Sequence, residues 1–144
     1  MSRLEELIEE WRIGTRFGPY FTADTTLMPR KGEYGPIPHW LDPRLSSALG
    51  NLGIKQLYSH QLEAIDAARN GENVALVTPT ASGKTLAFNL PVLHEILTDP
   101  DSRAIYVFPT KALTQDQYTQ LYDLINDMDV PISTHTYDGD TPAD

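Results

Sequence analysis

The 144-residue sequence contains no cysteine. That excludes disulfides and thiolate metal sites, and it fits a reducing compartment, with a soluble cytoplasmic protein as the default. No apolar run approaches the length of a membrane span, so no membrane partner is expected. The opening Met1-Ser2-Arg3-Leu4-Glu5-Glu6 is too acidic for a secretory signal. Positive charge is also scarce, with 11 Lys and Arg against 20 Asp and Glu and a net charge of −9. Taken alone, that balance argues against a nucleic-acid partner, because affinity for a phosphate backbone usually comes from Lys and Arg. The scarcity is uneven, however. Residues 1–70 hold eight basic and nine acidic residues (−1), whereas residues 71–144 hold three and eleven (−8). The three cations of that acidic half are Lys84, Arg103 and Lys111, and two of them fall inside motifs described below. The four histidines, His39, His60, His94 and His135, show no metal-ligand spacing, and none is assigned a catalytic role. The length suits one domain with a buried core.

The stretch that organises the chain is Thr78-Pro79-Thr80-Ala81-Ser82-Gly83-Lys84-Thr85. It follows the apolar run Val74-Ala75-Leu76-Val77 and leads into a helical pattern from Leu86, the strand–loop–helix context of a phosphate-binding loop. Consecutive amides around Ser82-Gly83-Lys84 can form an anion nest at the positive end of the helix that starts there. Gly83 allows close backbone approach to a phosphate, Lys84 adds a point charge, and the Thr85 hydroxyl can ligate magnesium. Thr78 stands where the general pattern has its first glycine. The bland alternative is a Ser/Thr-rich turn containing Gly-Lys-Thr, against which the flanking strand and helix patterns speak.

Around this loop the chain reads as alternating elements. Leu4, Leu7, Ile8 and Trp11 form an apolar stripe on a helix over residues 2–12, more naturally packed on its own domain than on a partner. Residues 13–41 lose periodicity through eight Gly and Pro, yet carry Phe17, Tyr20, Phe21, Tyr34 and Trp40. They read as an extended arm lying on the body. Its Arg30-Lys31 pair reads as a solvated surface pair rather than a nucleic-acid contact. Residues 42–144 form the third segment. Asp42-Pro43 opens a helix to about Leu49. Ser59 caps a second with Leu62, Ile65 and Ala68 inward, and Gly71 stops it. The helix after the loop runs to about Leu97, with Pro91 a possible kink. Ala104–Phe108 is a continuous apolar run, as in a parallel strand buried on both faces. A helix follows from about Lys111 to Asn126, then a more polar strand over Ile132–Tyr137 and the turn Asp138-Gly139-Asp140-Thr141-Pro142, whose two acids read as turn formers. Strands alternating with helices imply a parallel α/β sheet.

Four motifs occur in a telling order: Gln61, then Thr80–Thr85, then Phe108-Pro109-Thr110-Lys111-Ala112-Leu113, then Tyr137-Asp138-Gly139-Asp140. This series resembles the superfamily 2 DEAD/DEAH-box helicases over about residues 40–142. The loop resembles their motif I, and Pro109–Leu113 resembles motif Ia with Lys for Arg and Ala for Glu. The wording is most similar to the mitomycin-repair branch of DNA helicases. The resemblance implies a P-loop, RecA-like parallel sheet with flanking helices, here an incomplete first helicase domain, with ATP and Mg2+ as cofactors. It implies that Gln61 reads the adenine edge, with Tyr58 covering the ring, and that residues 78–85 (Thr78, Pro79, Thr80, Ala81, Ser82, Gly83, Lys84 and Thr85) hold the phosphates, Thr85 also meeting the metal. Pro109, Thr110, Lys111 and Gly139 would meet single-stranded or duplex nucleic acid, DNA being favoured by the branch wording. Thr110 is equally suited to plain helix capping. A grip through amides and hydroxyls does not require a basic surface.

Hydrolysis in this family also needs an acidic motif II, and no Asp-Glu pair occurs in the sequence. The chain therefore resembles the front of a longer helicase whose remainder is its first partner. Later strands of that domain lie between the motif I and motif Ia strands, so the sheet cannot form in full here and the chain should be poorly stable alone. Other readings are an RNA helicase of the DEAD-box type, a non-catalytic module binding a nucleotide or a partner through its aromatic arm, and, last, another phosphate-loop enzyme such as a nucleotide kinase. In a phosphate-release assay the 144-residue chain is expected to show no ATP turnover above buffer; a normal helicase ATPase rate overturns this reading.

Overall fold

A computed structural model describes residues 2–23, 25, 27, 31–79 and 82–141. They form two compact units, residues 1–31 and 32–144. In the first, α1 (Arg3–Ile13) starts at a capping box: the Ser2 hydroxyl accepts from the Glu5 amide at 3.3 Å, and the Glu5 carboxylate accepts from the Ser2 amide at 2.6 Å. The helix is where its period places it, but no residue of it is buried, and Leu4 remains 64% exposed. Its Trp11 ring lies 5.8 Å from that of Phe17, just before a 3-10 turn at Gly18–Tyr20. Lys31 is described, while Pro29 and Arg30 lie outside the described residues.

The second unit runs β1 (Tyr34–Pro36), α2 (Pro43–Asn51), β2 (Gln56–Tyr58), α3 (Ser59–Arg69), α4 (Lys84–Thr98) and α5 (Lys111–Met128). Asp42 caps α2 by accepting from the Arg44 amide at 2.9 Å, with Pro43 in the first turn. The Arg44 guanidinium bonded to it holds the Asp42 carboxyl below the usual carboxylate range. Helix α3 begins one residue earlier than expected: Ser59 is its first helical residue, and Tyr58 stands at the cap. Helix α4 runs through Pro91 without ending.

Leu45, Leu49, Leu57, Ile65, Leu90 and Leu93 are fully buried, joined by Leu124, Ile125 and Met128 of α5. Helix α3 packs on α4, and α2 on both α4 and α5. Each of these large side chains contributes about 1.5–3 kcal/mol by leaving water. Of the inward set expected on α3, Ile65 is buried, Leu62 and Ala68 are half-buried, and Ala64 completes the face.

The sheet differs from expectation. Among the described residues the only sheet is the antiparallel pair β1–β2, with Tyr34 opposite Tyr58, Gly35 opposite Leu57 and Pro36 opposite Gln56. The runs 74–77, 104–108 and 132–137 form no ladder, and the parallel sheet expected of them is absent. The apolar run 104–108 is not buried on both faces either: Ile105 and Val107 are 91% and 86% exposed, while Tyr106 and Phe108 are half-buried. The alternation has a physical cause. A strand needs lateral partners for its amides and carbonyls and a layer on each face. Here one face meets the helices, with Phe88 of α4 5.9 Å from Tyr106 in ring centroids, and the other faces solvent. Burial pushes the Tyr106 phenol up to about 12.

Leu90→Ala is expected to cost about 2–5 kcal/mol, because it opens a cavity in the helical core. Val107→Thr in the same chain should stay within about 0.5 kcal/mol, as for other surface changes. Urea denaturation of the two variants checks both values.

Candidate functional site

Helix α4 is capped by Gly83, whose φ of +76° lies in the left-handed region. A Cβ there would stand 2.6 Å from Gln61 Nε2, so both the backbone angle and the space call for glycine. Gln61 is buried, 2% exposed, on the first turn of α3. Its Oε1 accepts from the Tyr58 amide at 2.8 Å, and its Nε2 donates to the Gly83 carbonyl at 2.7 Å. These bonds use one of its two N–H donors and one acceptor lone pair. A donor and an acceptor remain, the pair that an adenine N6/N7 edge requires.

A cleft of about 380 Å³ opens beside this junction, lined by Tyr34, Tyr58, Gln61, Gly83 and Leu86 among others. The Tyr34 and Tyr58 rings lie 4.6 Å apart across the β1–β2 pairing, and the Tyr34 phenol is held above its ordinary value by its hydrogen bond to Tyr58. Tyr58 stacks in turn on His60 at 5.4 Å, and His60 Nε2 lies 2.9 Å from the Ser82 carbonyl oxygen. Tyr34 and His60 were not among the expected site residues. Tyr34 sits 24 positions before Tyr58, and only strand pairing brings the two together; His60 borders Gln61 and was readable as a neighbour, without a role.

The loop itself is drawn around Lys84. Its ammonium donates to the Thr78 carbonyl at 2.9 Å and the Pro79 carbonyl at 2.7 Å, with the hydroxyls of Thr78 and Ser82 at 3.3 and 3.4 Å. Those two hydroxyls lie 2.6 Å from each other. Thr80 and Ala81 lie outside the described residues. Thr85, on the first turn of α4, donates its hydroxyl hydrogen to Gln117 Oε1 of α5 at 3.1 Å. Among the described residues no group of three His, Cys, Asp or Glu side chains could hold a metal. A magnesium ion bound through one hydroxyl, nucleotide phosphates and water fits that donor set, since magnesium favours substrate phosphates and retained water over an all-protein cage.

At the far end, Thr110 caps α5 by accepting from the Leu113 amide at 3.3 Å. Pro109 and Gly139 are exposed, and Gly139 has open space around its Cα. The fold brings Lys111 to the turn of Gly139: its ammonium pairs with Asp140 and stands 3.7 Å from Asp138 Oδ1. Asp138 also accepts from the Asp140 amide at 2.8 Å, the turn-forming bond expected of it.

The DEAD/DEAH box helicase profile matches residues 58–144, from Tyr58 of the cleft onward. The chain belongs to this family. It is 50% identical over 113 residues to the uncharacterized ATP-dependent helicase YprA of Bacillus subtilis (strain 168), covering 78% of this chain and 15% of that protein. It is 39% identical over 146 residues to the ATP-dependent helicase hrq1 of Schizosaccharomyces pombe (strain 972 / ATCC 24843), covering 98% of this chain and 14% of that one. A crystal structure of the DUF1998 helicase MrfA bound to DNA and AMPPNP superposes with a TM-score of 0.80 at 41% identity, over 98% of this chain and 19% of that one. The chain thus spans about a seventh of the length of these curated relatives. Family membership and the MrfA likeness imply a RecA-like P-loop fold, although among the described residues only a two-stranded sheet is formed.

For this helicase-family chain, Gly83→Ala is expected to destabilise more than Gly53→Ala. Both glycines have φ of +76°, and Gly53 has nothing within 4 Å of an added Cβ. The left-handed penalty of about 1–2 kcal/mol is shared. Any excess at Gly83 reports the clash with Gln61, and adding Gln61→Ala should remove that excess in denaturation midpoints.

Proposed function

We propose that the chain is the nucleotide-gripping front of a longer ATP-dependent DNA helicase. The observation that carries this reading is the junction of Gln61 with Gly83, which sets a base-sized cleft directly beside the phosphate loop. In this reading adenine enters the cleft over Tyr58 and takes the free donor and acceptor of Gln61. The phosphates displace the Thr78 and Pro79 carbonyls from Lys84 and settle on the amides that open α4, where the helix dipole favours negative charge. Thr80 and Ala81 are included in this grip on the motif order alone. Thr85 supplies one oxygen to Mg2+, which neutralises phosphate charge when bound.

Pro109, Thr110, Lys111 and Gly139 are the proposed grip on the nucleic-acid backbone. Lys111 is paired with Asp138 and Asp140, so its charge is already balanced, and amides and hydroxyls at the start of α5 carry most of that contact. DNA is favoured over RNA by the relatives: two of the MrfA structures are bound to DNA, and the chain is 34% identical over 84 residues to the ATP-dependent DNA helicase Hel308 of Pyrococcus horikoshii. Among the described residues no helix is long and apolar enough to cross a membrane. We place the protein in the cytoplasm on its lack of cysteine.

In the longer helicase, Lys84→Ala should lower ATP-driven unwinding of a DNA duplex by about 100-fold or more, the scale of losing one charge-stabilising group at a reacting centre. Retention of unwinding by that variant favours a non-catalytic module instead. Activity on RNA duplexes alone favours the RNA helicase reading.

A further inference from the structure

Gln117 lies outside every motif named so far, yet its half-buried amide reaches the side chain proposed to meet the metal. A hydroxyl has one hydrogen and two lone pairs. By donating to Gln117 Oε1, Thr85 commits its hydrogen away from the loop and keeps lone pairs for a cation. The opposite arrangement, with Gln117 presenting its N–H groups, would occupy a lone pair and turn the hydroxyl hydrogen toward the ion.

The structure also holds the amide in the favourable sense. Gln117 Nε2 donates at 3.0 Å to Asp116 Oδ2, which also accepts from Gln120 Nε2 at 2.9 Å. An ionised carboxylate only accepts, so a flipped Gln117 amide would set oxygen against oxygen at Asp116. Asp116 therefore selects the amide orientation, and the amide selects the orientation of the Thr85 hydroxyl.

We propose that Gln117 is a positioning residue for the divalent cation: it directs the Thr85 lone pairs toward the metal bound with the nucleotide, and Asp116 fixes its amide. This rests on the nucleotide-site reading above and adds to it a metal-specific role for α5. Outer partners that orient a ligand commonly matter about 10-fold or more for metal affinity.

The test uses the longer helicase containing this chain and measures the affinity of a fluorescent ADP analogue in EDTA and in Mg2+. Gln117→Met, similar in shape but lacking an oxygen acceptor, should bind as wild type in EDTA and lose about 10-fold of the Mg2+-dependent gain. Gln117→Glu combined with Asp116→Asn keeps an acceptor for Thr85 and supplies an amide donor in place of the carboxylate that the new glutamate oxygen would oppose, and the pair should retain most of the gain. Asp116→Ala, at an exposed position where folding is not at stake, should reduce the gain in the same direction as Gln117→Met. A wild-type Mg2+ gain in Gln117→Met, or an equal loss in both buffers, overturns the proposal. Thr85→Val separates it from its premise: if that variant also keeps the full gain, the metal role of Thr85 itself fails.

Discussion

The two hydrogen bonds of the buried Gln61 amide join the start of α3 to the start of α4, because one end takes the Tyr58 amide and the other gives to the Gly83 carbonyl. That bridge sets the separation of the two helices at their N-terminal ends, while Ile65, Leu90 and Leu93 set it along their length. Glycine at position 83 is a consequence, since any Cβ there would meet the amide. The left-handed cap then aims the first turn of α4, which carries Lys84 and Thr85, back toward the loop. The cleft and the proposed phosphate loop adjoin where this one polar side chain is buried. A buried amide is costly unless satisfied, and this one is bonded at both ends.

A second constraint is the requirement of strands for neighbours. Helices satisfy their backbone bonds internally, so α2 to α5 assemble a core from this chain's own residues. The runs 74–77, 104–108 and 132–137 have no such option. They pair with no neighbour among the described residues, and Val77, Ile105 and Val107 stand open to solvent. The sheet that does form, β1–β2, is an antiparallel pairing of the arm with the segment before α3. The Thr85–Gln117 contact joins two of those helices, whereas the cleft also takes its lining from the β1–β2 pair.

Charge follows the same logic. An acidic half with three cations keeps Lys84 inside a cage of carbonyls and hydroxyls and Lys111 between two aspartates. Neither offers a free basic surface. Binding of phosphate at either place is an exchange of one set of oxygens for another, which is why amides and hydroxyls carry the proposed grips.

The sequence by itself determined the helices and the ordered motifs of the helicase family. Asp42-Pro43, Thr110 and the stop at Gly71 are local signals, read from capping and backbone chemistry that needs no distant partner, and the Gly-Lys-Thr loop is likewise a short-range device. Gln61 was legible as part of an ordered motif set, although its burial and its bond to Gly83 were not. Tertiary structure alone decided what depends on residues far apart in the chain. It placed Tyr34 on Tyr58, His60 on Ser82 and Gln117 on Thr85, and left the apolar run 104–108 half open where local pattern implied burial on both faces. Periodicity reports which side of an element is apolar, but the surface that covers it is set by the packing of elements distant in sequence.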